Sequence, residues 1–298
     1  MTAFDAATVA ADLNALREIY VRVFGQVADE DWGATTGTRD KDWALIEVTA
    51  HLYSIARAFN GAVKVGRRGE AVTVEGMATR TDLRTWNQAE MTAIIEMYTP
   101  AEMVLLFDVE LERAADYAGD LSREELETAV GFPVYNRPAP VMNFIGWQLS
   151  HAAAVHGAQV VRPLAGVPPI WAQMGTETRQ RLLGWFVRHF SWAYWPSHAP
   201  SNYTAVMHFD VAGEDGGQWG LRVDPDGGAV LPGAPEQADY RLRFADADTM
   251  FKVFTASSTF QAEGEAGKFE ILDGDPRRLM LLLSLFTPSP PRKVLKVL

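Results

Sequence analysis

Three of the six histidines in this 298-residue chain stand where side-chain spacing allows chemistry. His51 is followed by Ile55, Phe59 and Ala62 at i+4, i+8 and i+11, so on a helix it points inward or to the edge of an apolar stripe. Glu47 lies one turn earlier on the same face. His156 follows Met142, Ile145, Leu149 and Ala152 at helical spacing, so it also points inward. Two inward imidazoles on different helices can converge on a metal ion; each can equally be a core histidine with one hydrogen-bond partner. His151 is five residues before His156. An ideal α-helix leaves such side chains about 140° apart. His151 therefore joins a site only if a π-type irregularity rotates the pair together.

Other residue types offer less. Arg222, Arg241 and Arg243 can bind a substrate carboxylate, but they alternate with Leu221, Val223, Tyr240, Leu242 and Phe244, as solvent-facing strand residues do. The cluster Trp185, Phe186, Phe190, Trp192, Tyr194 and Trp195 reads as a domain seam or the lining of an apolar pocket. No Ser-His-Asp order or paired-carboxylate motif stands out, and Gly213 to Gly217 is a turn without the features of a phosphate loop. There is no cysteine, which excludes disulfides, thiolate metal sites and a cysteine nucleophile. Any thiol chemistry must use a thiol from outside.

Charge and hydropathy narrow the partners. Lys plus Arg number 27 against 38 Asp plus Glu, a net charge of −11, which disfavours nucleic-acid binding. No apolar run approaches the roughly 20 residues of a membrane helix. The first residues show neither a basic region nor an apolar run, so a cytoplasmic protein with no membrane contact is expected. Oligomeric state is not legible.

The elements that position these residues follow two periods. The first half is helical. Asp5 is placed to cap a helix with the stripe Val9, Leu13, Leu16, Tyr20, Phe24 and Val27. A second helix is expected from about Asp40 to Lys64 and a third from Leu83 to Met97. Thr99-Pro100-Ala101-Glu102 forms a capping box that opens a fourth. One continuous helix is expected from Val141 to Val161. Pro163, Pro168 and Pro169 mark the boundary. A bridging helix from Thr176 to Phe190 follows. Strands are then expected at Tyr203 to Val211, Trp219 to Val223, Asp239 to Phe244 and Lys268 to Leu272, and helices at Asp246 to Ala256 and Pro276 to Phe286. The fold class is α+β: a helical bundle over residues 1–165, then a linker helix and a small α+β domain over residues 166–298.

Several short segments resemble one superfamily. Trp43-Ala44-Leu45-Ile46-Glu47-Val48-Thr49-Ala50-His51-Leu52 is similar to the tryptophan–seven residues–His-Leu segment of DinB-like and mycothiol-dependent maleylpyruvate isomerase proteins. Asn87 resembles an asparagine that recurs there, and His156-Gly157-Ala158-Gln159-Val160-Val161-Arg162 resembles its His-Gly segment. Phe209 to Gly213, Trp219 to Val223, Ala238 to Tyr240 and Gly274-Asp275 resemble the type-two sterol carrier fold.

The resemblance implies a DinB-like four-helix bundle, a sterol-carrier-like second domain and one divalent metal, usually zinc. His51 and His156 match two of its ligands. The third ligand position falls on Ala152, which has no donor atom, leaving His151 or Glu47 to supply it. The resemblance also implies a mycothiol-type thiol as cofactor and a small electrophilic substrate, bound at the cleft between bundle and second domain. The expected function is thus metal-dependent thiol transfer or isomerisation. The alternative is a metal-free binding protein, or a diverged biosynthetic enzyme, holding a hydrophobic small molecule in that cleft.

Overall fold

A computed structural model describes residues 5–37, 43–70, 72–135, 137–231 and 233–287. The chain mixes helix and sheet and divides into two compact units. One comprises Thr2–Pro133 and Pro138–Gly175, the other Val134–Arg137 and Thr176–Leu298. The division thus falls after Gly175, ten residues beyond the expected boundary at 165. It lies at the start of the helix first read as a linker, because that helix packs with the strands that follow it.

The N-terminal unit is helical. Helix α1 (Ala6–Phe24) buries Leu13, Leu16, Tyr20 and Val23, and it ends before Val27. Asp5 stands at its N-cap, but its side chain takes a hydrogen bond from the Thr8 hydroxyl and not from the helix backbone. Helix α2 (Leu45–Gly66) starts later than expected, because Ala44 is extended and Thr35 bridges to it. Part of the expected start, residues 40–42, lies outside the described residues. Helix α3 (Leu83–Met97) is followed by α4 (Pro100–Asp120), whose Thr99 hydroxyl accepts from Glu102 N while Glu102 Oε2 accepts from Thr99 N at 2.8 Å. These local bonds satisfy two of the donors that a helix start leaves free.

A short helix α5 (Arg123–Glu127) and a strand pair, β1 (Ala129–Val130) with β2 (Ala139–Pro140), lead to α6 (Val141–Leu149). The expected single helix from 141 to 161 is not continuous. Residues Ser150–Val155 form a π-helical stretch, and the α-helix resumes as α7 (Gly157–Val161). Helices α1, α2, α4 and α6 pack against one another as the body of this unit. The approach is close at Gly66, where a β-carbon would lie 2.0 Å from Val130 Cγ2.

The C-terminal unit opens with α8 (Thr176–Trp192). Its five-stranded sheet contains β3 (Ala205–Val211), β4 (Gly217–Asp224), β5 (Gly227–Leu231), β6 (Tyr240–Phe244) and β7 (Phe269–Asp273), in the order β5-β4-β3-β6-β7. Only β3 and β6 run parallel. The turn at Asp224 to Gly227 closes a hairpin, and Gly227 adopts φ 135°, a conformation that favours glycine.

One sheet face buries Met207, Phe209, Leu221, Val223, Leu242 and Phe244. Helices α9 (Ala247–Phe254), α10 (Phe260–Glu265) and α11 (Pro276–Leu283) complete the unit. The aromatic cluster of α8 belongs to this unit's own core: Phe186 meets Phe251 edge-on at 5.5 Å, and Phe190 stacks on Phe286 at 4.3 Å. Among the described residues no helix is long and apolar enough to cross a membrane.

Candidate metal centre

The N-terminal unit brings three histidines together. His51 comes from the first two turns of α2, His151 from the π-helical stretch, and His156 from its end. One ligand atom from each lies within 4.8 Å of the other two. Their ring centroids are 4.8 Å apart for His51 and His156, 5.2 Å for His51 and His151, and 4.5 Å for His151 and His156.

The π-helical stretch explains the grouping. His156 N–H donates to the carbonyl five residues back, His151 O, at 3.1 Å. Widening one turn by a residue returns positions five apart to one face. The irregularity that the spacing of His151 required is therefore present. His151 Nε2 and His156 Nε2 stand 3.2 Å apart. Ala152 is fully buried, and its carbonyl accepts a hydrogen bond from Tyr20.

Burial sets the electrostatics. His51 and His156 are almost wholly out of solvent. Burial holds His51 far below the usual histidine range, and the neighbouring His156 lowers it further. Burial also brings His156 down to about 4, opposed in part by the Gln159 side chain. Both rings are thus neutral at neutral pH, the form that ligates metals. Gln159 Oε1 accepts from His156 Nδ1, which leaves Nε2 facing His151. Trp43 closes one side, with its ring 5.0 Å from His51 and stacked on His156 at 6.4 Å. Phe59 packs edge-on to His151 at 6.2 Å.

These residues fit a divalent cation. His51 Nδ1 is buried with no hydrogen-bond partner among the described residues. An orphaned imidazole nitrogen inside a protein is costly and points to a ligand. The other two nitrogens stand 3.2 Å apart, within hydrogen-bond reach of each other and close enough for one ion to contact both.

The remaining sequence candidates are engaged elsewhere. Glu47 Oε2 accepts from Ala44 N at 2.8 Å as part of the α2 start, and Glu47 is not among the three converging groups. The three arginines lie on the sheet of the C-terminal unit. Arg222 pairs with Asp224 at 3.2 Å, Arg243 with Asp210 at 3.0 Å, and Arg241 reaches the Glu236 carbonyl at 3.5 Å. Arg222 and Arg243 behave as solvent-facing strand residues neutralised by neighbouring acids. Asn87 is on α3, its Oδ1 buried without a partner among the described residues, and it is not one of the three converging groups. Sequence reasoning did not assign a role to Tyr20, which it placed in an apolar stripe. A phenol in a core stripe does signal a hidden acceptor.

The fold and site together define a two-unit α+β protein with a triad of histidines, two of them buried, in its helical unit. No family model matches the chain, and no curated protein matches it. Among solved structures, the crystal structure of a mycothiol-dependent maleylpyruvate isomerase aligns with TM-score 0.55 at 13% identity, covering 92% of this chain and 97% of that one. A histidine-to-alanine mutant of such an isomerase aligns with TM-score 0.56 at 12% identity and the same coverage. At these identities the likeness establishes a shared fold.

Proposed function

We propose that the chain is a metal-dependent enzyme that uses an external, mycothiol-type thiol to isomerise or thiolate a small electrophilic substrate. The observation that carries this reading is the convergence of His51, His151 and His156. The shared fold with mycothiol-dependent maleylpyruvate isomerase supports it. The lack of any cysteine is compatible with it, since a thiol used by this chain comes from outside.

His51, His151 and His156 would hold the ion, zinc being the natural match for three imidazoles. When bound, such an ion supplies an open coordination position and lowers the pKa of a thiol placed there. The protein's own contribution is to keep two of the imidazoles neutral by burial, to fix the His156 tautomer through Gln159, and to wall the site with Trp43 and Phe59. The C-terminal unit is read as a sterol-carrier-like module. Its five-stranded sheet and the apolar face of α11, which buries Leu279, Leu282 and Leu283, support that reading.

The test is spectroscopic. Protein loaded with cobalt(II) is titrated with a low-molecular-weight thiol. A sulfur-to-cobalt charge-transfer band that saturates with thiol is expected. Cobalt bound without any such band would contradict the thiol assignment.

A further inference from the structure

The π-helical stretch that groups His151 with His156 needs a cause, and the structure contains one. In an α-helix the His156 amide would donate to Ala152 O, four residues back. Here it donates to His151 O instead, at 3.1 Å. The Ala152 carbonyl is released from its helical partner inside the core, where an unmet acceptor is costly. Tyr20 meets it. Its hydroxyl, 132 positions away on α1, donates to Ala152 O at 2.8 Å.

Two aromatic rings pack against the phenol. Phe107 meets its ring edge-on at 5.1 Å, and Phe24 lies at 5.4 Å. Tyr20 is buried, and burial raises its pKa far above the usual tyrosine value, so the hydroxyl keeps its proton. The Tyr20 bond favours the π register over the α register, because in the π register it is the partner that replaces His156 N, whereas an α-helical Ala152 O, already accepting from His156 N, gains less from a second bond. A contact made in one register and not needed in the other shifts the balance between them.

We propose that Tyr20 is a positioning residue: by capturing the Ala152 carbonyl it latches the π turn and so sets His151 and His156 on one face. The proposal rests on the metal reading above only for its consequence, since the latch itself exists without metal.

Two readouts test it on the full chain, in wild type, Tyr20→Phe and Val9→Ala. Val9→Ala trims a buried side chain of the same helix and serves as the control for simple destabilisation. The first readout is the nuclear Overhauser contact between the His151 and His156 rings in metal-free protein. The second is cobalt(II) affinity. Tyr20→Phe is expected to weaken the ring contact and lower cobalt affinity by about tenfold, the scale of outer-sphere supports. Val9→Ala is expected to change neither. An unaltered ring contact in Tyr20→Phe overturns the proposal, as does an equal loss in Val9→Ala. Wild-type protein that binds no cobalt overturns the metal reading, while the ring contact still decides the latch.

Discussion

His151 and His156 are five residues apart in the chain and 3.2 Å apart at their Nε2 atoms. That relationship exists because one turn of helix is π-helical; under the proposed metal reading it moves the third donor from position 152 to position 151.

Ala152→Glu tests that shift. If the π turn directs position 152 away from the triad, a carboxylate at this fully buried position lacks a partner, and an uncompensated buried charge costs about 3–5 kcal/mol. Denaturant unfolding is expected to show a loss of that order, with no gain in zinc affinity. A mutant that binds zinc far more tightly than wild type would mean that position 152 faces the site after all.

Gln159→Leu removes the acceptor that orients His156 Nδ1. The ring then loses its fixed tautomer, and zinc affinity is expected to fall roughly ten- to a hundredfold. Competition with a chromophoric chelator measures it. Gln159→Glu keeps the acceptor and adds charge, so it is expected to bind zinc at least as tightly as wild type.

Metal-free protein should lose stability in acid. His156 falls from 6.5 to about 4 on folding, so the unfolded chain binds more protons within that interval. Stability is therefore full above about pH 6.5 and declines as pH falls toward 4. The contribution of His156 is of order 3 kcal/mol at most. Urea titrations across this interval, with His156→Gln as reference, should show a steeper decline in wild type. Parallel curves would contradict the burial-driven shift.

Gly228→Ala probes the seat of α8 on its sheet. A β-carbon there would stand 2.3 Å from the Ser191 carbonyl oxygen, so backbone must move. Overpacking of this kind costs about 1–3 kcal/mol, and the melting temperature should drop accordingly. An unchanged melting temperature would show that the helix yields freely.

What could be read from sequence was whatever is locally encoded. The Thr99-Pro100-Glu102 start of α4 and the Asp275-Pro276 start of α11 are cap chemistry, and both form. Strands β3 and β6 follow from alternation over a buried face. Helices α5 and α10 escaped because five or six residues are too few to show a period. Strand β5 escaped because Gly227 and Gly228 carry no side-chain pattern. The late division at Gly175 reflects packing of α8 on β4 and β5, which the prolines upstream do not encode. At the site, His51 and His156 were legible as inward residues on helical stripes. The place of His151 was legible only as a condition, because the π turn accompanies a contact between Tyr20 and Ala152, 132 positions apart.

If His51, His151 and His156 jointly hold a divalent ion, the metal content of the protein depends on His51. Protein without a histidine tag is loaded with zinc, dialysed and assayed by elemental analysis beside His51→Ala, with circular dichroism to verify that both are folded. One zinc per wild-type chain is expected, and almost none in the folded mutant. Wild-type protein that retains no zinc, or a mutant that retains as much as wild type, would contradict joint binding by the three histidines.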